Sequence, residues 1–469
     1  METATLPRST QKVRRDVLGG KRPDGHARIF DLRHRADPTT IHTEATDPSL
    51  TAVAGLVAFG RYVRKLGVSA RLHQHFDALK TGFRKVYELG DVLLHLIDAA
   101  VAGEHRIFGM EALAADPLFV RLAGGAVPCL DVFYDDLRRF DADALKTLAS
   151  LAFEPGLTLL RKTPRRRIHL DIDTTVTPLF GHAIEGARPG FNPRYHGRPS
   201  YHPILAWVPE VDAIVGAVLR PGDTAFGEAD VPAVRAIVRR VREAVGPRCE
   251  IVVRIDSAGD CARLMNVLHG EKVFFTIKAK MTPNLCAAIG AIPERRWETT
   301  DRDADGKPTE QLVEVEFARA AWAPLADKFL VHALRAKDRH GKQIALWEGS
   351  EWAVQAWVTN ALTWPSDEVA DTYRGRAGIE PRIAELKGAW GLGKMPTQDF
   401  DANHALMLVK VLAYNLFRRF VEYTAPTLSR WSTTWMRRAL IMVPGRLIHH
   451  AHRWELRISP ASALARKLN

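Results

Sequence analysis

The sequence predicts an α/β protein: a layer of alternating strands and helices, preceded by an all-helical region, interrupted by a β-rich insertion and followed by a helical tail. Three observations carry this reading. Apolar residues recur at three- and four-residue spacing through residues 50–160; strands and helices alternate through 168–277; and period-two alternation with turn signals takes over between 282 and 361.

Taken in order, residues 1–45 carry Arg8, Lys12, Arg14, Arg15, Lys21, Arg22, Arg28, Arg33 and Arg35 with little apolar periodicity, and read as a basic arm. Within 46–160, helical patterns at 52–66, 86–102 and 142–153 are separated by breaks such as Gly124-Gly125-Ala126-Val127-Pro128. This region suits DNA binding or dimerisation, and periodicity does not separate the two. The α/β core is expected over 161–281 and 362–422. It opens with a basic linker containing Arg165, Arg166 and Arg167, which are candidate DNA contacts. Ile168, Leu170 and Ile172 then alternate with polar residues, so a strand presents Asp171 and Asp173 on one face. Strands follow at 204–208 and 213–219. Asp230 is placed to cap a helix with Val231, Val234, Ile237, Val238, Val241 and Val245 inward and Arg235, Arg239 and Arg242 outward. A strand ending at Asp256, a short helix to Gly270 and a strand at 272–277 complete the first part of the core.

The insertion, 282–361, is too long for a structureless loop. Val313, Val315 and Phe317 alternate with Glu314 and Glu316; Asp305-Gly306 and His340-Gly341 read as turns; 329–334 and 343–347 are strand candidates. Trp297, Trp322, Trp347, Trp352 and Trp357 fall in it. Helical patterning resumes near Ser366, a largely apolar helix covers 403–420, and 423–469 reads as a basic helical tail with Trp435 and Trp454.

The formal charge of +12 over 469 residues suits a polyanionic partner such as nucleic acid. Cys129, Cys249, Cys261 and Cys286 form no CxxC pair, which argues against a disulfide framework or zinc ribbon and fits a reducing cytoplasm. The longest apolar runs are short or broken by His95, Asp98 and Lys410, so no membrane span is expected.

The densest chemistry lies between residues 373 and 387. Tyr373, Arg376, Glu380 and Lys387 are three, four and seven apart, which on a helix places them on one face. Such a face can be a solvated charge run with i,i+4 pairs. It is also the arrangement expected where an acid holds a metal and its neighbours hold phosphates. Gly378 and Pro381 suggest an irregularity beside Glu380. Asp173, Asp256 and Glu380 together offer oxygen ligands suited to Mg²⁺, with Mn²⁺ as a substitute. Asp171 rivals Asp173 for the first position. His449, His450 and His452 read as part of a basic surface.

Asp173-Thr174-Thr175, then Arg254-Ile255-Asp256-Ser257, then Tyr-x2-Arg-x3-Glu-x6-Lys resembles the signature of DDE transposases of the insertion-sequence-4 type. More narrowly the chain resembles the insertion sequence 1380 family. That likeness lies in Gly186-Ala187 to Gly190-Phe191-Asn192-Pro193 with Gly197-Arg198-Pro199-Ser200-Tyr201-His202-Pro203, in Leu219-Arg220-Pro221-Gly222-Asp223, and in Ala413-Tyr414-Asn415-Leu416. The resemblance implies a ribonuclease-H-like core with a β-rich insertion before the last acidic helix. It implies a bacterial transposase that binds terminal inverted repeats, excises by a hairpin route and joins the ends to target DNA, as a homodimer in the synaptic complex. Asp173, Asp256 and Glu380 would then be the catalytic Mg²⁺ ligands, with Tyr373, Arg376 and Lys387 on phosphates. Thr174 and Thr175 would be supports, and in related transposases a tryptophan of the insertion stacks on a flipped base; Trp322, Trp347 and Trp357 each read either as core or as that platform, and the sequence does not assign one. The alternatives are a nuclease of the same fold without strand transfer, and a DNA-binding regulator with an inactive core.

Overall fold

The computed structural model describes residues 38–181, 183–190, 192, 196–337 and 352–465. It forms two units: a larger one of 62–110 and 128–420, and a smaller one built from residues up to 61, 111–127 and 421 onward. Most of the basic arm and the candidate strand at 343–347, with Trp347 and the His340-Gly341 turn, lie outside the described residues.

The larger unit is organised by one nine-stranded sheet. Its strands are β1 (Arg167–Thr174), β2 (Ile204–Val208), β3 (Ala213–Val218), β4 (Glu250–Ile255), β5 (Phe274–Lys278), β6 (Glu298–Arg302), β7 (Pro308–Val315), β8 (Leu330–Lys337) and β9 (Trp352–Thr359). Across the sheet the order is β3-β2-β1-β4-β5-β9-β8-β7-β6. β1, β4 and β5 run parallel, and every other pairing is antiparallel. The parallel steps need crossovers, which two helices supply: α1 (Val231–Val245) before β4 and α2 (Ala262–Gly270) before β5. In α1 Val231, Val234, Ile237, Val238 and Val241 are buried as the spacing dictates, whereas Val245 is half-buried and the Asp230 carboxylate, expected as the cap, is drawn instead to Arg220 (2.6 Å).

The insertion is β-rich, and its strands extend the main sheet. β9 pairs with β5 through Trp357↔Lys278, Val358↔Ile277 and Thr359↔Thr276. A turn closes this join. Asn360 accepts from the Phe275 amide (2.9 Å) and donates to the Val273 carbonyl (2.9 Å), while Thr359 Oγ1 donates to the Phe275 carbonyl (2.7 Å). The chain then enters helix α3 (Ser366–Arg374), whose Val369 and Ala370 pack with Trp357, Trp364 and Leu334.

On the other side, helix α4 (Phe400–Thr424) is locked by Asn415. Asn415 donates to the carbonyls of Ala152 and Ile214 (both 2.8 Å) and accepts from the Ile214 amide (3.0 Å). All its polar atoms are satisfied in a buried site, so three elements are joined in one register.

In the smaller unit the expected helical tail is corrected. Beyond a short helix, α5 (Thr433–Leu440), the chain forms a hairpin of β10 (Gly445–His450) and β11 (Arg453–Ile458). β10 also pairs with Leu50–Thr51, so the region before residue 160 is not entirely helical. The hairpin is exposed over most of its length, and a ribbon with little buried face leaves no apolar alternation to read.

At the centre of the sheet, Asp171 on β1 is fully buried and is held by both arms of the Arg254 guanidinium from β4: Nε at 2.5 Å and Nη2 at 2.8 Å. Arg254 Nη1 also donates to the Thr372 carbonyl at 2.8 Å. Asp171→Ala strands a buried cation, so stability should fall by about 3–5 kcal/mol, whereas an apolar replacement of both partners should be far milder. Urea unfolding of the single and double variants checks this; equal losses would contradict it.

Candidate active site

β1 delivers Asp173 at its C-terminal end, and β4 delivers Asp256 immediately after its last residue. Asp256 then caps the short turn Ser257–Gly259, its carboxylate accepting from the Ala258 amide at 3.0 Å. Because β1 and β4 are adjacent and parallel, both acids emerge at the same edge. Glu380 arrives from helix α6 (Ile379–Gly388). α3 runs into α6 through a 3₁₀ turn, Gly375–Gly378, with Gly375 and Gly378 in ordinary right-handed conformation. Pro381 falls in the first turn of α6, where its missing N–H has no helical partner to lose.

These elements wall a cavity of about 520 Å³ lined by Asp173, Asp256, Glu380, Tyr373 and Arg376, joined by Ser257, Lys278, Gln355, Trp357, Arg374 and Ala377. Arg376 is buried and its Nη2 lies 2.9 Å from Asp173, with Nη1 3.9 Å from Glu380. The side chain of Glu380 is 70% exposed, while that of Asp173 is 14% exposed. Burial pushes the Asp173 carboxyl up to about 6; Arg376 and the Thr174 amide oppose this, and the charges of Asp256 and Glu380 add to it. Burial likewise pushes the Tyr373 hydroxyl up to about 12, so it remains a neutral donor.

The two strand acids have different surroundings. Asp171 is consumed by Arg254, and Asp173 opens onto the cavity. Gly375 is required by the same contact, since a Cβ there would lie 2.3 Å from Arg254 Nη1. Lys387 sits apart from the cavity lining. Its ammonium donates to the Val176 carbonyl (2.7 Å) and Thr175 Oγ1 (3.2 Å), which ties the end of α6 to the chain leaving β1. Burial lowers its pKa.

The basic linker is not brought to this site. Arg167 begins β1, about 20 Å of strand away from Asp173. It pairs with Glu250 (2.7 Å) and Glu368 (2.6 Å) and covers the Trp364 ring at 4.3 Å. Arg165 donates to the Glu210 carbonyl at 3.1 Å, and Arg166 is exposed. Among the tryptophans, Trp357 lines the cavity with its ring 5.6 Å from that of Tyr373, whereas Trp322 is buried between Phe317 and Phe329.

Lys278 and Gln355 escaped the sequence reading. Lys278 ends β5 opposite Trp357, and it is the one lining cation without an ion-pair partner among the described residues; Arg374 pairs with Glu310 and Asp371, and Arg376 with Asp173. Its signal was a cation at the end of a parallel strand, two strands from Asp173. Gln355 had none, because β9 carries no clear alternation.

Among the described residues no three His, Cys, Asp or Glu side chains converge closely enough to hold an ion as they stand, since Arg376 partners Asp173. The donor set still fits a hard divalent cation. It is all oxygen, it lies on one cavity, and its mutual repulsion raises Asp173.

The segments carrying the narrower resemblance also meet. Gly222 donates to the Gly186 carbonyl (3.3 Å), His202 and Arg220 exchange backbone and side-chain bonds (3.0 and 2.8 Å), and Arg220 pairs with buried Asp230 (2.6 Å). A Cβ on Gly222 would lie 2.1 Å from the Ser200 carbonyl. Arg382, two residues beyond Glu380, is bound to Asp212 at 3.0 Å, and Asp212 also accepts from Trp207 (3.1 Å), Tyr414 (3.3 Å) and Arg418.

No curated protein matches the sequence. Among solved structures, piggyBac transposase in a synaptic complex with hairpin DNA is similar at 12% identity and a TM-score of 0.45, covering 82% of this chain and 78% of that one. The family described as "Transposase DDE domain group 1" matches residues 35–469. With nearly its whole length covered by that match, the chain belongs to the DDE-domain transposases.

Proposed function

We propose that this chain is the transposase of a bacterial insertion sequence of the 1380 family, within the insertion-sequence-4 type, acting in the cytoplasm. It binds terminal inverted repeats, cleaves by a hairpin route and joins the ends to target DNA. The observation that carries the reading is the convergence of Asp173, Asp256 and Glu380, from three distant parts of the chain, on one cavity with Tyr373, Arg376 and Lys278. The hydrogen bonds of Gly186 with Gly222 and of His202 with Arg220 support the narrower family. The order β3-β2-β1-β4-β5, with β1, β4 and β5 parallel, supports a ribonuclease-H-like core.

DDE domains generally use divalent metal ions, and we assign Asp173, Asp256 and Glu380 as the ligands for Mg²⁺. When bound, the metal supplies polarisation of the scissile phosphate and of the attacking oxygen. Within the chain, Arg376 orients Asp173 and offsets negative charge developing on the phosphate. The Tyr373 hydroxyl donates a hydrogen bond to phosphate oxygen, and its partly buried ring is fixed against Trp357. Lys278 contacts phosphate as a free cation, and Lys387 holds α6 in place. Trp357 is the stacking candidate at this cavity. Two copies hold the two ends in the synaptic complex.

With duplexes carrying the repeats that flank the reading frame, Asp256→Ala and Glu380→Gln should reduce Mg²⁺-dependent cleavage at least about 100-fold while DNA binding persists; cleavage at the wild-type rate by either would refute the assignment. Recovery of ends joined to a plasmid identifies a transposase, and cutting without joining identifies a nuclease.

Asp173 must be ionised to hold a cation, and burial raises its pKa to about 6 in the metal-free chain, so the Mg²⁺ concentration needed for half-maximal cleavage should fall as pH rises through about 6 and level off above it. Mg²⁺ titrations of the cleavage rate over pH 5–8 at saturating DNA test this, and a half-maximal Mg²⁺ concentration that does not change with pH would count against Asp173 as a ligand.

Lys278→Ala should slow cleavage about tenfold or more without lowering the unfolding midpoint, because the ammonium makes no ion pair among the described residues. Unchanged single-turnover rates would remove it from the site.

A further inference from the structure

The hairpin β10–β11 of the smaller unit has a role in none of the chemistry above. Its root is fixed: Leu456 and Ile458 pack against Ala54, Val443 and Leu464, and Leu447 is buried. Beyond the root, residues 449–455 are all exposed. With six residues per strand the ribbon is about 20 Å long. Leu50–Thr51 pairs only with Gly445 and Arg446, so beyond them the ribbon is two-stranded, a form marginally stable in water.

That tip is ordered by stacking rather than burial. The Trp454 ring, 48% exposed, stacks on His449 at 4.5 Å and 29°, and the Arg121 guanidinium lies 5.0 Å from the ring centroid. Directly across the strands, His450 faces Arg453, and Arg453 makes no ion pair among the described residues. The local acids are already taken, Asp47 by Arg446 and Glu455 by Arg457 (2.9 Å). The tip therefore presents net positive charge beside a flat apolar ring.

We infer that this ribbon is a second DNA-contacting element, entering a groove of duplex DNA with Arg453, Arg121 and His450 toward phosphates and Trp454 against the sugar and base edges. A two-stranded ribbon matches the ~12 Å width of the major groove, and unpaired arginine supplies the phosphate attraction. The inference rests on the reading of this chain as a DNA-processing enzyme.

The test is fluorescence anisotropy of the full chain with a labelled 30-base-pair duplex across a salt series. Arg453→Ala/Trp454→Ala is compared with Arg248→Ala, and the single reversal Arg453→Glu with Arg248→Glu, exposed controls of equal charge change. The hairpin variants should bind at least about tenfold more weakly, and loss of Arg453 should lower the salt slope by about one. Affinities equal to those of the Arg248 controls would overturn the inference. If the wild type cleaves while the hairpin variants bind normally, only the hairpin role falls. If the hairpin variants lose affinity but the wild type cuts no end sequence, the hairpin role stands and the transposase reading falls.

Discussion

The bidentate contact between Asp171 and Arg254 is the constraint on which the catalytic geometry depends. It joins the two strands that deliver Asp173 and Asp256, and the third donor of the same guanidinium holds the Thr372 carbonyl where α3 gives way to the turn carrying Arg376. A buried ion pair is poor evidence for net stability, because desolvation offsets much of its attraction. Its value here is geometric. The planar guanidinium fixes the relative height of β1, β4 and the helix end that brings Arg376 and Glu380 to the two strand acids, which a single-point contact could not do.

A second clamp operates at the β2–β3 turn. Asp212 gathers Trp207, Arg382, Tyr414 and Arg418, so α6 is held to the β2–β3 turn and to α4 at once. Lys387 adds a third attachment, to the segment leaving β1. Glu380 is the most exposed of the three acids, yet the helix that carries it is fastened on two sides. The site thus combines a solvent-facing carboxylate with a rigid backbone, an arrangement suited to a ligand that must admit a bulky polyanion.

Much of this was legible in the residues. The alternation of Ile168, Leu170 and Ile172 and the α1 stripe each express one physical period that the structure follows, whereas the 373–387 spacing is broken by the 3₁₀ turn Gly375–Gly378, and Tyr373, Arg376 and Glu380 but not Lys387 reach one cavity. Other features were not legible for definite reasons. Asp171 and Asp173 share one strand face, so only the position of Arg254 separates a structural acid from an open one. Lys387 shares the helical face of Glu380, yet its reach leads to the Val176 carbonyl and the Thr175 hydroxyl rather than to the cavity. Arg167 sits in a basic run that suggested nucleic acid, but Glu250 and Glu368, distant in sequence, occupy it. The tail hairpin buries too few apolar residues to impose period two, and β9 mixes alanine, glutamine and tryptophan without a clear polar face.

The join of β9 to β5 has a consequence for the order in which the protein comes into being. Asp173 and Asp256 leave the ribosome first, and Glu380 follows about 120 residues later. At roughly 5–20 residues per second, that is several seconds to half a minute in which a nascent chain holds two acids and lacks the third. During that interval β5 is an open parallel edge until the insertion has been made and β9 has docked on it. A chain ending inside the insertion would therefore lack Glu380 and the helix that brings it to the cavity of Asp173 and Asp256, and would leave β5 unpaired at that edge.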